Sequence, residues 1–262
     1  MSDSDPIEPL PLRSLPPLAA NAAFFIDFDG TLAAIADRPD LVVVEKRVSA
    51  LLKRLAQRSG GALAVVTGRP LAAVDALLAP LLLPVAAEHG SVRRDAAGVV
   101  HRDLRGAGCV AAATAGLEPL VEAHHGLLLE RKTASVALHY RQRPELAEIC
   151  ALAAQAAISH MPELTLLPGK MVYEVRPKGA TKGTAVEAFL AEEPFCGRVP
   201  VYAGDDLTDE YAFAAVNRAG GISIKVGPGD TVAKYRGERE DLLAWCEAQV
   251  EGRSLAEAPG SG

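Results

Sequence analysis

The chain has 262 residues, 49% of them hydrophobic and 23% charged, so it can build a packed core and is not a generally disordered protein. Its net charge of −6, from 27 Lys and Arg against 33 Asp and Glu, excludes the bulk basic surface that a nucleic-acid-binding protein needs. We therefore expect no nucleic-acid partner. We expect no membrane partner either, because no apolar run approaches the roughly 20 residues of a membrane span.

The two ends of the chain differ from the rest in composition. Residues 1–20 are rich in proline and acidic side chains and lack the cationic start and apolar segment of a secretory signal, so a flexible leader is predicted there. A flexible tail is predicted for residues 251–262. The four cysteines form no CxxC pair, which indicates reduced thiols and neither a zinc site nor a disulfide framework. Together these features predict a cytoplasmic protein.

Between the ends, apolar runs alternate with helical patterns, as is typical of a parallel α/β fold. The run Ala22–Ile26 is continuously apolar, which predicts a strand buried on both faces. The next predicted elements are a helix around 48–58 with four apolar side chains on one face, a strand at 62–66 and a helix at 71–78. Further along, a helix is predicted at 184–190, followed by strands at 198–202 and 221–226.

The middle of the chain has a different pattern. Its predicted elements are helices near 110–124 and 145–160 and strands at 127–130, 135–139 and 171–175. The alternating strand 135–139 indicates a sheet with one buried and one open face. We therefore predict a doubly wound, Rossmann-like parallel-sheet core formed by 21–101 and 177–250, with a smaller α/β cap domain inserted at 102–176.

The segment Asp27-Phe28-Asp29-Gly30-Thr31 comes directly after the first buried strand. Two carboxylates so close together at a strand end repel each other and resist desolvation, unless a cation offsets the cost. Mg²⁺ prefers carboxylate, carbonyl and water oxygens as ligands. The segment therefore predicts a magnesium site, whereas a polar strand end followed by a turn would be the simpler interpretation.

Three further clusters follow strand ends or open a helix: Thr67-Gly68-Arg69, Lys182-Gly183, and Gly204-Asp205-Asp206-Leu207-Thr208-Asp209. Ligands of a doubly wound sheet bind at the carboxyl ends of its strands, so we expect these clusters to share one site with Asp27. Mg²⁺, a lysine and hydroxyl donors suit the charge that develops in phosphoryl transfer. An aspartate is a competent nucleophile for that reaction, and Asp29 suits the task of proton donor and acceptor.

In this order the four clusters resemble the motifs of the haloacid dehalogenase superfamily of phosphatases. The resemblance implies that Asp27 is the nucleophile and Asp29 the general acid/base, with Thr67 and Lys182 as further catalytic residues. It implies Mg²⁺ bound by the carboxylates of Asp27 and Asp205 and by the backbone carbonyl of Asp29, with Asp206 or Asp209 acting through water. Lys182 matches the family's lysine-glycine helix start better than its neighbour Lys178 does.

Further segments, from about Ala22 to Glu247, resemble the trehalose-6-phosphate phosphatase family. They are Ala87-Glu88-His89-Gly90, Leu129-Glu130-Arg131-Lys132, Ser135–Arg141 and Gly169–Pro177. The resemblance implies that Glu130, Lys132 and Glu174 on the cap bind sugar hydroxyls. It also implies that Gly68, Arg69, Glu88 and His89 line the core side of the substrate cleft.

The substrate that this resemblance implies is trehalose 6-phosphate. Because no glycosyltransferase precedes Asp27, we expect a separate trehalose-6-phosphate synthase in the pathway. Two alternatives stay open at this point. One is a related phosphatase of a sucrose phosphate or a glycerate-linked sugar phosphate. The other is a non-catalytic sugar-phosphate-binding regulator of a synthase, which the filled catalytic positions disfavour.

Overall fold

The computed structural model describes residues 8–15, 18, 21–36, 41–103 and 105–252. They form two compact units, one made of residues up to 100 together with those from 181 onward, the other of residues 101–180. The predicted insertion, residues 102–176, falls inside the second unit. Within the described residues, no helix combines the length and the apolar composition that crossing a membrane requires.

The first unit contains two layers of helices around one sheet. Its strands are β1 (Leu10–Pro11), β2 (Ala22–Asp27), β3 (Leu63–Val66), β4 (Val85–Ala87), β5 (Val92–Arg94), β11 (Val199–Gly204), β12 (Ile222–Val226) and β13 (Tyr235–Gly237). Its helices are α1 (Lys46–Arg58), α2 (Leu71–Leu78), α5 (Lys182–Leu190), α6 (Asp209–Arg218) and α7 (Arg239–Glu251). The strand order is β1-β13-β12-β11-β2-β3-β4-β5, and β6 (Val100–Arg102) spans the boundary between the units.

Strand β2 shows why this sheet is buried on both faces. Its neighbours β11 and β3 both run parallel to it, and all six of its residues are buried. Phe24 belongs to a core that includes Trp245 of α7, whereas Phe25 packs on the opposite face against Phe189 and Phe195. Because successive side chains of a strand point to opposite faces, one continuous apolar run serves two cores. The predicted doubly wound fold is confirmed.

The second unit is a four-stranded antiparallel sheet covered by helices on one face. Its strands are β7 (Leu128–Arg131), β8 (Val136–His139), β9 (Leu164–Gly169) and β10 (Val172–Pro177), in the order β7-β8-β10-β9. Helices α3 (Ala107–Ala123) and α4 (Ala147–Ile158) pack on the face that presents Leu138 and Val175. The register pairs Glu130 with Ala137 and Ala137 with Glu174, so these residues share the other face.

The predicted flexible leader is where the structure differs most from the sequence interpretation. Residues 1–7, 16–17 and 19–20 lie outside the described residues, but Leu10–Pro11 pairs in parallel with Tyr235–Arg236 of β13. Leu12 and Leu15 are only 2% and 4% exposed and join the core. Proline favours the extended backbone that a sheet edge accepts, and an edge position tolerates its missing N–H. Of the predicted tail, residues 253–262 lie outside the described residues.

Candidate active site

Three neighbouring parallel strands bring the predicted polar clusters to one edge of the sheet. Strand β2 ends at Asp27, β3 is followed by Thr67, and β11 is followed by Asp205. Since β11, β2 and β3 are adjacent and parallel, their carboxyl ends lie side by side. The spacing along the sequence is large, yet the topology places these side chains together.

Lys182, the first residue of α5, lies at the centre of this edge. Its Nζ donates hydrogen bonds to Asp27 Oδ1 at 2.7 Å and to Asp209 Oδ1 at 2.8 Å. The Thr181 side chain caps the helix, which fixes where the lysine emerges. Lys178, the other lysine considered from the sequence, belongs to the second unit, where its N–H donates to the Glu163 carbonyl at 2.7 Å.

Asp209 is completely buried and holds several elements of the site together. Its Oδ1 also accepts a hydrogen bond from the Tyr202 hydroxyl at 2.6 Å, and its Oδ2 accepts from the Asp206 N–H at 2.9 Å. Asp206 is turned differently, because its Oδ1 accepts from both the N–H and the hydroxyl of Thr208 at the start of α6. Asp206 therefore serves the helix start, although its Oδ1 is also 3.5 Å from Lys182 Nζ.

Three carboxylates, those of Asp27, Asp205 and Asp209, are close enough to share a metal ion, with one oxygen of each within 4.8 Å of the others. The sequence interpretation put Asp206 in the metal set and left open whether Asp206 or Asp209 acts through water. In the structure the inward-facing carboxylate is that of Asp209. The reason is the turn before α6. The Asp206 carboxylate accepts from the N–H of Asp209, the first residue of α6, whereas the Asp209 carboxylate accepts from Lys182.

The electrostatics of this cluster favour a bound cation. Burial raises the pKa of Asp27 to about 8, against the lowering effect of the Lys182 ammonium, and it raises the pKa of Asp205 to about 6. Burial also raises the pKa of Asp209 well above its usual range. Burial by itself lowers the pKa of Lys182. The negative charges of Asp209, Asp27 and Asp206 outweigh that effect, so the pKa is raised well above its usual value. One ammonium thus faces four carboxylates.

The donor set fits Mg²⁺. It offers carboxylate oxygens, the ligands this ion prefers, and Asp205 Oδ1 is buried without a hydrogen-bond partner among the described residues. An orphaned buried carboxylate oxygen costs free energy that a cation would recover. Asp27 and Asp205 could therefore hold the Mg²⁺ that the sequence predicts.

Gly30 allows the loop after β2 to approach Asp205. Its φ of +84° is in the left-handed region, and a Cβ at this position would lie 2.2 Å from Asp205 Oδ2. Only glycine meets both conditions without strain. Gly30 therefore has a definite role, because it lets the loop that follows Asp27 lie against the Asp205 carboxylate.

The segments around Gly68 and His89 form a tightly connected turn. The His89 N–H donates to the Thr67 carbonyl at 2.9 Å and the Glu88 N–H to the Arg69 carbonyl at 3.0 Å. Both Glu88 and His89 have positive φ, 49° and 56°, a strained conformation for residues with side chains. A Cβ on Gly68 would lie 2.5 Å from His89 Nε2, so a side chain here would displace the His89 ring.

Arg69 reaches from this turn to the loop after β2. Its guanidinium donates two hydrogen bonds to the Asp29 carboxylate, one to each oxygen. The sequence interpretation placed Arg69 among substrate-binding residues, and the structure shows a direct contact with the predicted acid/base residue.

In the second unit, the three predicted sugar-binding residues lie on the face of the sheet opposite the helices. Lys132 Nζ donates to Glu174 Oε2 at 3.0 Å, and the Ser135 hydroxyl donates to Glu174 Oε1 at 2.7 Å. Glu130 Oε2 is 2.8 Å from His139 Nε2, and the hydrogen bond with His139 is the main cause of its lowered pKa. Ser135 and His139 were not among the predicted site residues. The alternation of β8 could have identified His139, since it faces the same side as Ala137.

Comparison with known proteins identifies the family. The family model described as trehalose-phosphatase matches residues 25–241, which is most of the chain. The chain belongs to the trehalose-phosphatase family. A relative from Escherichia coli K12, named trehalose-6-phosphate phosphatase, is 42% identical over 238 residues, covering 90% of each chain.

Solved structures agree with this family assignment and with the fold. A trehalose-6-phosphate phosphatase related protein superposes with a TM-score of 0.69 at 26% identity, covering 87% of this chain and 97% of that one. A haloacid dehalogenase-like hydrolase from B. subtilis superposes with a TM-score of 0.59 at 15% identity, covering 87% and 99%. At that identity the likeness shows the fold alone, and this fold agrees with the one that the four motifs predict.

Proposed function

We propose that this chain is a Mg²⁺-dependent phosphatase that hydrolyses trehalose 6-phosphate to trehalose and phosphate. The observation that carries the proposal is the buried contact of Lys182 with Asp27 and Asp209 at the strand ends, in a chain of the trehalose-phosphatase family. A lysine and clustered carboxylates at this position are the groups that phosphoryl transfer requires.

The metal would be held by the carboxylates of Asp27 and Asp205 and the backbone carbonyl of Asp29. The buried Asp209 or the more exposed Asp206 would act from a greater distance through water. When bound, Mg²⁺ neutralises negative charge and polarises a phosphoryl oxygen.

In the first half of the reaction, a carboxylate oxygen of Asp27 attacks the phosphorus atom. The bond from phosphorus to the sugar oxygen breaks, and its electron pair stays with that oxygen, which takes a proton from the Asp29 carboxyl group. Trehalose leaves and an aspartyl phosphate on Asp27 remains.

In the second half, water attacks the phosphorus atom of the aspartyl phosphate. Asp29, now a carboxylate, accepts a proton from the water, and the bond from phosphorus to Asp27 breaks. Phosphate is released and both aspartates return to their starting protonation states. Each residue is therefore used twice, and no further reactant is consumed besides water.

Other residues of the core would bind the phosphoryl group and its surroundings. Lys182 offers a positive charge and Thr67 a hydroxyl group to the phosphoryl oxygens. Gly68, Glu88 and His89 would contact the substrate from the core unit, and the absence of a side chain at Gly68 leaves room for the His89 ring.

Substrate selection would reside in the second unit, which we propose acts as the cap. Glu130, Lys132 and Glu174 would bind the hydroxyl groups of the disaccharide, because carboxylates and ammonium groups are strong hydrogen-bond partners for hydroxyls. Their pairing with His139 and Ser135 on one sheet face supports this role, since it orients the side chains before a sugar arrives.

A separate trehalose-6-phosphate synthase would supply the substrate, and the reaction would occur in the cytoplasm. The free thiols of Cys109, Cys150, Cys196 and Cys246 are consistent with a reducing compartment.

The test is phosphate release from trehalose 6-phosphate, sucrose 6-phosphate, glucose 6-phosphate and an aryl phosphate, with and without Mg²⁺. We expect Mg²⁺-dependent turnover that strongly favours trehalose 6-phosphate, and a loss of at least about 10³-fold in Asp27→Asn with the fold retained by circular dichroism. Turnover of sucrose 6-phosphate alone would assign a different sugar. No turnover of any of the four would point to a regulator and refute the proposal.

A further inference from the structure

The geometry points to a positioning role for Arg69. We propose that Arg69 holds the Asp29 carboxylate in the orientation in which it exchanges a proton with the leaving oxygen, and that it acts on the reaction through Asp29 and not by binding the sugar phosphate. This inference rests on the proposed function.

The contact between the two side chains is bidentate. Arg69 Nε donates to Asp29 Oδ2 and Arg69 Nη2 donates to Asp29 Oδ1, both at 2.7 Å. Because the guanidinium is planar and its donors have a fixed spacing, two parallel hydrogen bonds define the plane of the carboxylate as well as its distance. The Arg69 side chain is 12% exposed, whereas that of Asp29 is 40% exposed. The carboxylate is thus held from its buried side and stays accessible on the other.

Arg69 is itself fixed on three sides. Its N–H donates to Thr67 Oγ1 at 3.1 Å, and its carbonyl accepts from the Glu88 N–H at 3.0 Å. Its guanidinium carbon lies 5.6 Å from the centre of the Phe28 ring, within the range of a cation–π contact, and Phe28 is fully buried. Phe28 directly precedes Asp29, so the same loop supplies the platform for the arginine and the carboxylate that it holds.

The chemistry of the proposed reaction makes this orientation matter. A carboxylate has about four acceptor positions, and Arg69 occupies one on each oxygen, which leaves a second position on each for a proton, an alcohol or a water. General acid–base catalysis contributes about 10²–10⁴-fold, and a displacement of about 1 Å in a catalytic group can cost about 10²-fold. If Arg69 is replaced, the Asp29 carboxylate is still present, but it should lose much of its contribution to the rate because its orientation is no longer fixed.

The experiment compares Arg69→Met and Arg69→Lys with Asp29→Asn and with the double variant, using kcat/KM for trehalose 6-phosphate and for 4-nitrophenyl phosphate. This parameter covers the steps up to departure of the leaving group, and a nitrophenolate leaves without needing a proton. We expect Arg69→Met to lose about 10²-fold on trehalose 6-phosphate and less than about 10-fold on the aryl phosphate. Arg69→Lys, which lacks the bidentate geometry, should lie between wild type and Arg69→Met.

Two further measurements separate positioning from substrate binding. The double variant Asp29→Asn/Arg69→Met should be no slower on trehalose 6-phosphate than Asp29→Asn alone, because Arg69 would have nothing left to position. In the inactive Asp27→Asn background, Arg69→Met should bind trehalose 6-phosphate with a Kd within about twofold of the parent, measured by calorimetry. A residue that contacted the substrate would change this Kd.

The chain provides a matched structural control. Arg94 makes a bidentate pair with Asp75 at 2.8 and 2.7 Å, with side-chain exposures of 9% and 34%, close to those of the pair under test. Arg94→Met should leave the ratio of the two kcat/KM values unchanged, even if it lowers the unfolding midpoint as much as Arg69→Met does.

The inference and the proposed function fail in different ways. Suppose that Asp29→Asn loses more activity on trehalose 6-phosphate than on the aryl phosphate, as the proposed function requires. The positioning role is then overturned by any one of three results: equal losses on both substrates in Arg69→Met, additive losses in the double variant, or a weakened Kd. If Asp29→Asn loses activity equally on both substrates, the acid/base assignment fails and the role of Arg69 fails with it. Absence of turnover by the wild type refutes the proposed function directly.

Discussion

The buried carboxylate cluster predicts that the stability of the metal-free protein falls as the pH rises. An aspartate in the unfolded chain titrates near 3.8, whereas burial raises the pKa of Asp27 to about 8 in the folded protein. Between these values the folded state holds a proton that the unfolded state has released. The free energy of unfolding therefore decreases with pH, and this loss is complete once the pH has passed about 8.

The size of the effect follows from the same two values. A difference of one bound proton changes the free energy of unfolding by about 1.4 kcal/mol for each pH unit. Between pH 5 and pH 8 the ionisation of Asp27 therefore costs about 4 kcal/mol. Asp205 adds a smaller loss that ends near pH 6, because its pKa is raised only to about 6. Mg²⁺ bound among these carboxylates would offset both.

The assay is urea unfolding followed by circular dichroism at pH 5, 6, 7 and 8, in EDTA and in MgCl₂. We expect the metal-free protein to be less stable at pH 8 than at pH 5, and the stabilisation by Mg²⁺ to be larger at pH 8. Asp27→Asn, which has no proton to lose there, should lower the slope of stability against pH in EDTA by about 1.4 kcal/mol for each pH unit. Asp205 and Asp209 keep contributing in this variant, because burial raises their pKa values as well. If the variant keeps the wild-type slope, or if Mg²⁺ stabilises the protein equally at pH 5 and pH 8, the electrostatic reasoning is refuted.

Three further outcomes are expected. Leu12→Ala should lower the free energy of unfolding by about 2–5 kcal/mol in urea titrations, because the side chain is 2% exposed, whereas Leu10→Ala, at 55% exposure, should cost far less; equal effects would contradict the packing of this segment. Glu130→Ala should reduce kcat/KM for trehalose 6-phosphate much more than for an aryl phosphate, and equal losses would remove it from the sugar site. Lys225→Met should weaken Mg²⁺ binding in calorimetry by about tenfold, since the buried Lys225 ammonium donates to the Asp205 carbonyl and so orients that loop; an unchanged affinity would show that the contact does not matter for the metal.

Much of the core could be predicted because its elements carry strong and local signals. Strand β2 and helix α2 follow from a continuous apolar run and from a proline at the helix start. Strand β9 was missed because its residues Pro168 and Gly169 indicate a turn. Strands β1 and β13 have two and three residues, too few for any periodicity to show.

The site could be predicted as a set of segments but not in its detailed contacts. The sequence identifies an acidic run after β11, yet it cannot show that Asp206 bonds the helix start while Asp209 turns inward to Lys182. That choice depends on the path of the turn before α6. The pairing of Arg69 with Asp29 likewise depends on which strands are neighbours, since 40 residues separate the two in the chain.

The alternation of the sheet in the second unit divides its residues between two tasks. Leu138 and Val175 face the helices and hold the unit together, while Glu130 and Glu174 stand on the opposite face. Under the proposed function, a substitution on that second face changes the polar groups offered to a sugar and leaves the packing against the helices as it is. Glu174 is only 6% exposed and accepts from Lys132 and Ser135, so replacing it alone would remove the charge partner of a buried ammonium. New specificities are therefore better sought by changing the two members of this pair together, and one strand carries both kinds of position in strict succession.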